Sequence, residues 1–85
     1  MSSIDEYSAH INAAIDVVEQ AQASVGQTKT EGENLASQFE GMNAEAAGAS
    51  IRSSVDQGSE VENILAEAIN KLKEMQSTAE SARGQ

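Results

Sequence analysis

The chain has no cysteine, no proline and no tryptophan, and its aromatic residues are one Phe and one Tyr. Without thiols, no disulfide and no thiolate metal site can support the fold. Few large side chains also mean a thin core, because many of the hydrophobic residues (39% of the chain) are alanine. Basic residues are scarce as well: 5 Lys and Arg stand against 14 Asp and Glu, for a formal net charge of -9. Nucleic-acid binding needs a basic patch, and anionic membrane surfaces repel such a chain, so neither is an expected partner. No apolar run approaches the ~20 residues of a membrane-spanning helix. The opening residues, Met1-Ser2-Ser3-Ile4-Asp5-Glu6, have no basic stretch followed by an apolar one, so no secretory signal is expected there.

Eighty-five residues make one domain at most, and a domain this short buries a small share of its surface. Stability is expected to be completed by a partner or a second copy.

What the chain does have is periodicity. Positions 4, 7, 11, 14, 18, 21, 25, 28, 32, 35 and 39 form an unbroken alternation of three- and four-residue steps, most of them apolar. This predicts a first helix over about 4–39 with one apolar stripe. Ser3 and Glu6 have capping-box spacing at its start. Gly26 and Gly32, flanking Thr28 and Thr30, predict a soft or kinked middle. At Phe39-Glu40-Gly41-Met42-Asn43 the stripe ends. Gly41 is the expected left-handed residue, Asn43 the expected N-cap of the next helix, and 40–43 the expected turn.

A second helix is predicted over about 44–82. Its inward face reads Ile51, Val55, Gly58, Val61, Leu65, Ala68, Leu72, Met75, Ala79 and Ala82. The register slips by one residue between Gly58 and Val61. Ile64 and Ile69 widen this face, as Ile15 and Val17 widen that of the first helix. The expected fold is therefore all-α: a single antiparallel two-helix hairpin over 1–85 that completes a four-helix bundle by pairing with a second hairpin. A lone hairpin is expected to leave Ile15, Ile64 and Ile69 wet. Gly48 and Gly58 are expected to let the helices approach closely.

Nothing in the chain reads as catalytic. His10 is the only histidine and has no partner at ligand or triad spacing. Carboxylate neighbours such as Asp5 and Glu6, or Glu31 and Glu33, do not stack on one helical face. No enzyme activity, cofactor or metal is expected. The expected chemistry is binding of a helical protein through Ile15, Val18, Ile64, Leu65, Ile69 and Leu72, with the acidic face selecting the partner.

The Phe39-Glu40-Gly41 turn, midway between two helices of equal length, resembles the Trp-x-Gly turn of the WXG family, the small helical hairpins of type VII secretion. Phe39 stands in the place of the Trp, and Gly41 matches the Gly. The resemblance implies a non-catalytic secretion protein, cytoplasmic before export and leaving without a cleaved signal peptide. The family's C-terminal Tyr-x-x-x-Asp/Glu export signal has no counterpart in the tail, Gln76 to Gln85. The chain is similar in size and pattern to the small companions of LXG-type toxins, which bind a larger effector's N-terminal helices. The alternative from the pattern alone is a cytoplasmic coiled-coil scaffold with no role in secretion.

Overall fold

A computed structural model of the protein describes residues 3–84. Two helices make up nearly all of it: α1, Ser3–Gly41, and α2, Glu45–Glu80. A single 3₁₀ turn, Ser81–Gly84, follows α2. The helices run antiparallel, so that Asp5 near the start of α1 pairs with Arg83 beyond the end of α2. The Cα atoms fill a slab of 66 × 17 × 9 Å. Its thickness is that of one helix, so each broad face of the hairpin lacks a second layer.

Two backbone bonds close the turn. The Ala44 N–H donates to the Phe39 carbonyl at 2.8 Å, and the Asn43 N–H to the Glu40 carbonyl at 3.1 Å. Those bonds, six-to-one and five-to-two, are a Schellman closure, which needs one residue in the left-handed region. That residue is Asn43, with φ 61°; no described glycine has a positive φ. The expectation for Gly41 is thus corrected. α1 extends through Gly41 in ordinary helical geometry, and the reversal falls two residues later, on a side chain that tolerates the left-handed region. Asn43 is therefore not the N-cap of α2. Ala44 takes that place, with no side-chain cap, and its carbonyl accepts the first bond from the Gly48 N–H at 3.0 Å. At the other end α1 already includes Ser3, so a capping residue would fall on residue 2, outside the described residues.

α1 runs unbroken through Gly26 and Gly32. The Thr28 and Thr30 hydroxyls donate to the carbonyls of Ser24 and Gly26, one turn back. Both hydroxyls are thus satisfied without leaving the helix.

Lettering the expected stripe of α1 as a and d (a at 4, 11, 18, 25, 32 and 39) makes the packing clear. The a row is inside, as expected. Its companion is not the d row (Tyr7, Ala14, Ala21, Thr28, Leu35) but the neighbouring e row (Ser8, Ile15, Gln22, Lys29, Ala36). In α2 the rows 44, 51, 58, 65, 72, 79 and 48, 55, 62, 69, 76 face α1 in the same way. This seam keeps a strict heptad, so the expected slip at Gly58–Val61 does not occur. Glu62 occupies the step instead of Val61, and its carboxylate meets the Lys29 ammonium at 2.6 Å.

The cause is the quality of the e-row pairs. Ile11, Ile15 and Ile69 are buried together, with Val18 and Leu72 packed against them. A buried isoleucine contributes about 1.5–3 kcal/mol, far more than the alanines of the d row can. Nearer the turn, Ala36 and Gly48 are both buried. A Cβ on Gly48 would lie 3.2 Å from the Ala36 carbonyl oxygen, so the backbones touch there. A Cβ on Gly58 would meet only side chains, Lys29 Cγ at 2.9 Å and Val25 Cγ1 at 3.9 Å, so of the two glycines expected to let the helices approach closely, backbone contact is seen at Gly48.

Candidate partner interface

Turning the seam onto the a and e rows turns the d row of each helix outward. Around a helix, d and then g follow on one side of the seam, while b follows on the other. In an antiparallel pair the d rows of both helices emerge on the same broad face. Contacts bear this out: Tyr7 and Met75 line one depression, and Thr28, Leu35 and Ser54 line another.

The large apolar side chains left exposed on the helices are Tyr7, Val17, Leu35, Val61, Ile64 and Met75. Tyr7, Leu35, Val61 and Met75 are d residues, whereas Val17 and Ile64 are g residues. All six therefore belong to one face. Of the 14 acids only Glu31 holds a d or g position, with Lys71 and His10 as the other charged or titratable nitrogen groups there.

The opposite face, built on the b rows, is polar and bridged. Arg52 donates from Nε and Nη2 to both carboxylate oxygens of Glu40, at 2.9 and 2.7 Å. Gln76 Nε2 donates to Asn12 Oδ1 at 2.6 Å and to the Ser8 carbonyl at 3.2 Å. The Ser8 hydroxyl donates to Glu80 at 2.9 Å, and Arg83 pairs with both Glu80 and Asp5. The Arg52 guanidinium holds the Glu40 carboxyl below its usual range. Arg83, and then Ser8, do the same to Glu80. Apart from the seam pair Lys29–Glu62, the cross-helix polar bonds described here lie on this side, and the apolar face has none.

The residues expected to meet a partner divide accordingly. Ile15 and Ile69, expected to be wet, are buried at 7% and 8% exposure because they form the seam. Val18, Leu65 and Leu72 are half-buried in the same seam. Ile64, at 61% exposure, alone of the six faces outward. Val61, Met75 and Ala82, expected inside, are exposed, and so are Tyr7, Thr28 and Leu35. Phe39 is half-buried at the last a position of α1, and Gly41 is exposed. The acids lie mostly away from the apolar face.

In the turn-side half of the apolar face lies an open groove of about 350 Å³, lined by Val25, Gly32, Ile51 and Val55 among others. Among the described residues no cluster of three or more His, Asp or Glu is placed to hold a metal ion. None of the described helices is long and apolar enough to cross a membrane. No protein-family model, curated protein or solved structure matches the chain.

Proposed function

We propose that the protein is a non-catalytic binding module whose apolar face docks on a second helical hairpin to complete a four-helix bundle. In the same reading it is a WXG-like protein of a type VII secretion system, acting as a secreted substrate or as a companion to a larger effector toxin. The observation that carries the docking is the one-sided surface: six large apolar residues share a face nearly free of acids, on a chain of net charge -9. Exposed apolar patches of this extent mark interaction sites. The tight reversal at Phe39–Ala44 favours a hairpin module over a coiled-coil rod, in which the heptads would run straight through. The secretion role rests on the Phe39-x-Gly41 resemblance and on hairpin size. The test is affinity capture from the native cell, followed by intact-complex mass measurement and export assays. Recovery of a small helical protein or a toxin's N-terminal helices, lost with Ile64→Asp, is the expected result. Absence of any helical partner, or a partner retained by Ile64→Asp, refutes the docking reading.

A further inference from the structure

The seam is uneven along its length. Away from the turn it holds the buried isoleucines, Ile11, Ile15 and Ile69, with Val18 and Leu72 packed against them. In the turn-side half, 24–62, the buried residues are Ala36 and Gly48, which bring one methyl group between them. Val25, Phe39, Ile51 and Val55 are only half-buried there, and the groove of about 350 Å³ leaves Val25, Ile51 and Val55 without neighbours on one side. Five of the six glycines, Gly26, Gly32, Gly41, Gly48 and Gly58, fall in the same half, within the helices. Each shifts the local helix–coil equilibrium toward coil by about 5-fold relative to alanine. The end of this half is also poorly supported: α1 has no basic residue in its last turn, and α2 begins on Ala44 with no side-chain cap. Its cross-helix ion pairs, Lys29–Glu62 and Arg52–Glu40, are partly exposed, and such pairs hold little.

We infer that the hairpin is two units of unequal stability, and that the turn-side half opens as one unit while the isoleucine cluster keeps the other half paired. Folded chains open locally in contiguous cooperative segments, and the weakest segments are those with few buried apolar contacts. Opening of the turn side leaves a loop of about 40 residues closed by the cluster, and the entropy of closing such a loop grows only slowly with its length. The cluster therefore survives without the turn.

The division falls across the apolar face. Tyr7, Val17 and Met75 stand on the half that stays closed, whereas Leu35, the groove and the turn belong to the half that opens. One end of the face is a fixed surface, and the other changes shape on its own. The opening is a property of the isolated chain, so it is tested apart from the docking reading.

Amide hydrogen exchange of the full purified chain, read residue by residue by NMR, tests the division. After correction for intrinsic rates, amides of 28–58 should exchange through one shared opening, at least ~10-fold faster than those of 11–20 and 65–76. Ile15→Val, which trims one methylene from the cluster, is the discriminating variant. It should speed exchange ~2- to 10-fold in the isoleucine half, which opens only on global unfolding. It should leave 28–58 unchanged, because Ile15 keeps its neighbours when the turn side opens. Gly26→Ala should slow exchange in both halves by ~2- to 5-fold, since residue 26 melts in either opening. Uniform protection along both helices overturns the inference, and so does a turn side better protected than the isoleucine half. An Ile15→Val variant that moves both halves together, or neither, overturns it as well.

Discussion

Ile64 and Ile69 are five residues apart on α2, have identical side chains, and should respond to the same substitution in opposite ways. Ile69 is 8% exposed and packs on Ile11 and Ile15. Removing such a side chain costs ~2–5 kcal/mol, and a carboxylate at the site adds a desolvation penalty of its own. The whole folding free energy of an 85-residue chain is about 4–13 kcal/mol. Ile69→Asp should therefore leave the isolated hairpin largely unfolded or close to it. Ile64 is 61% exposed, on the apolar face. Asp there should change the stability of the isolated hairpin by no more than ~0.5 kcal/mol, as at other solvated helix positions. Covering the exposed part of an isoleucine contributes about 1–2 kcal/mol, so Ile64→Asp should weaken the partner complex by roughly 5- to 30-fold. Urea melts followed by circular dichroism at sub-micromolar concentration read the first quantity. Titration with the captured partner reads the second. If Ile64→Asp unfolds the dilute chain as Ile69→Asp does, or if Ile69→Asp leaves the melt unchanged, the division into seam and face is wrong.

Five further outcomes follow from the geometry. Asn43→Val should cost ~1–2 kcal/mol through left-handed strain while Asn43→Gly is neutral or better, and thermal melts of the two should differ accordingly. Gly26→Ala should gain ~0.5–1 kcal/mol of helix propensity, since its Cβ meets only Glu62 Oε2 at 3.6 Å. Gly32→Ala should lose ~1–3 kcal/mol, since its Cβ would lie 2.6 Å from Val55 Cγ2; a Val55→Ala background should relieve that loss in a double-mutant cycle. Glu40→Gln should lower the melting temperature at pH 7. The Glu40 carboxyl is held below its ordinary range by Arg52, so its contribution is present above that range and fades as pH falls through the depressed value. Melts of parent and variant should then converge in acid. Phe39→Ala should destabilise by ~1–3 kcal/mol, less than a fully enclosed ring would, and Phe39→Trp should be tolerated in both melts and partner capture if the half-buried ring plugs the tip as in the family it resembles.

Two long helices and a reversal near residue 42 were legible because they rest on period and on local breaks. Eleven positions in strict three-four alternation can scarcely be anything but a helix, and Gly41 with Asn43 two residues on marks its break. The rotation of each helix about its axis was not legible from the stripe. An a row flanked by d on one side and e on the other offers two seams, and hydrophobicity summed along α1 prefers d, which includes Tyr7 and Leu35. The seam forms on e because packing is decided by pairs across the interface: Ile15 with Ile69, Lys29 with Glu62, Ala36 with Gly48. Each pair joins residues more than ten positions apart, and two of the three involve residues that a hydrophobic stripe leaves out. The same fact explains why Ile15 and Ile69, expected to be wet, are buried. Residues with the strongest apolar signal next to the stripe, Ile15 and Ile69, were consumed by the fold. Those counted as the stripe itself, Tyr7, Leu35, Val61 and Met75, were left exposed. A chain with a single wide apolar surface must divide it between folding and binding. In a slab one helix thick that division is a rotation of about 50° about each helix axis, half of the 100° between the d and e rows at 3.6 residues per turn.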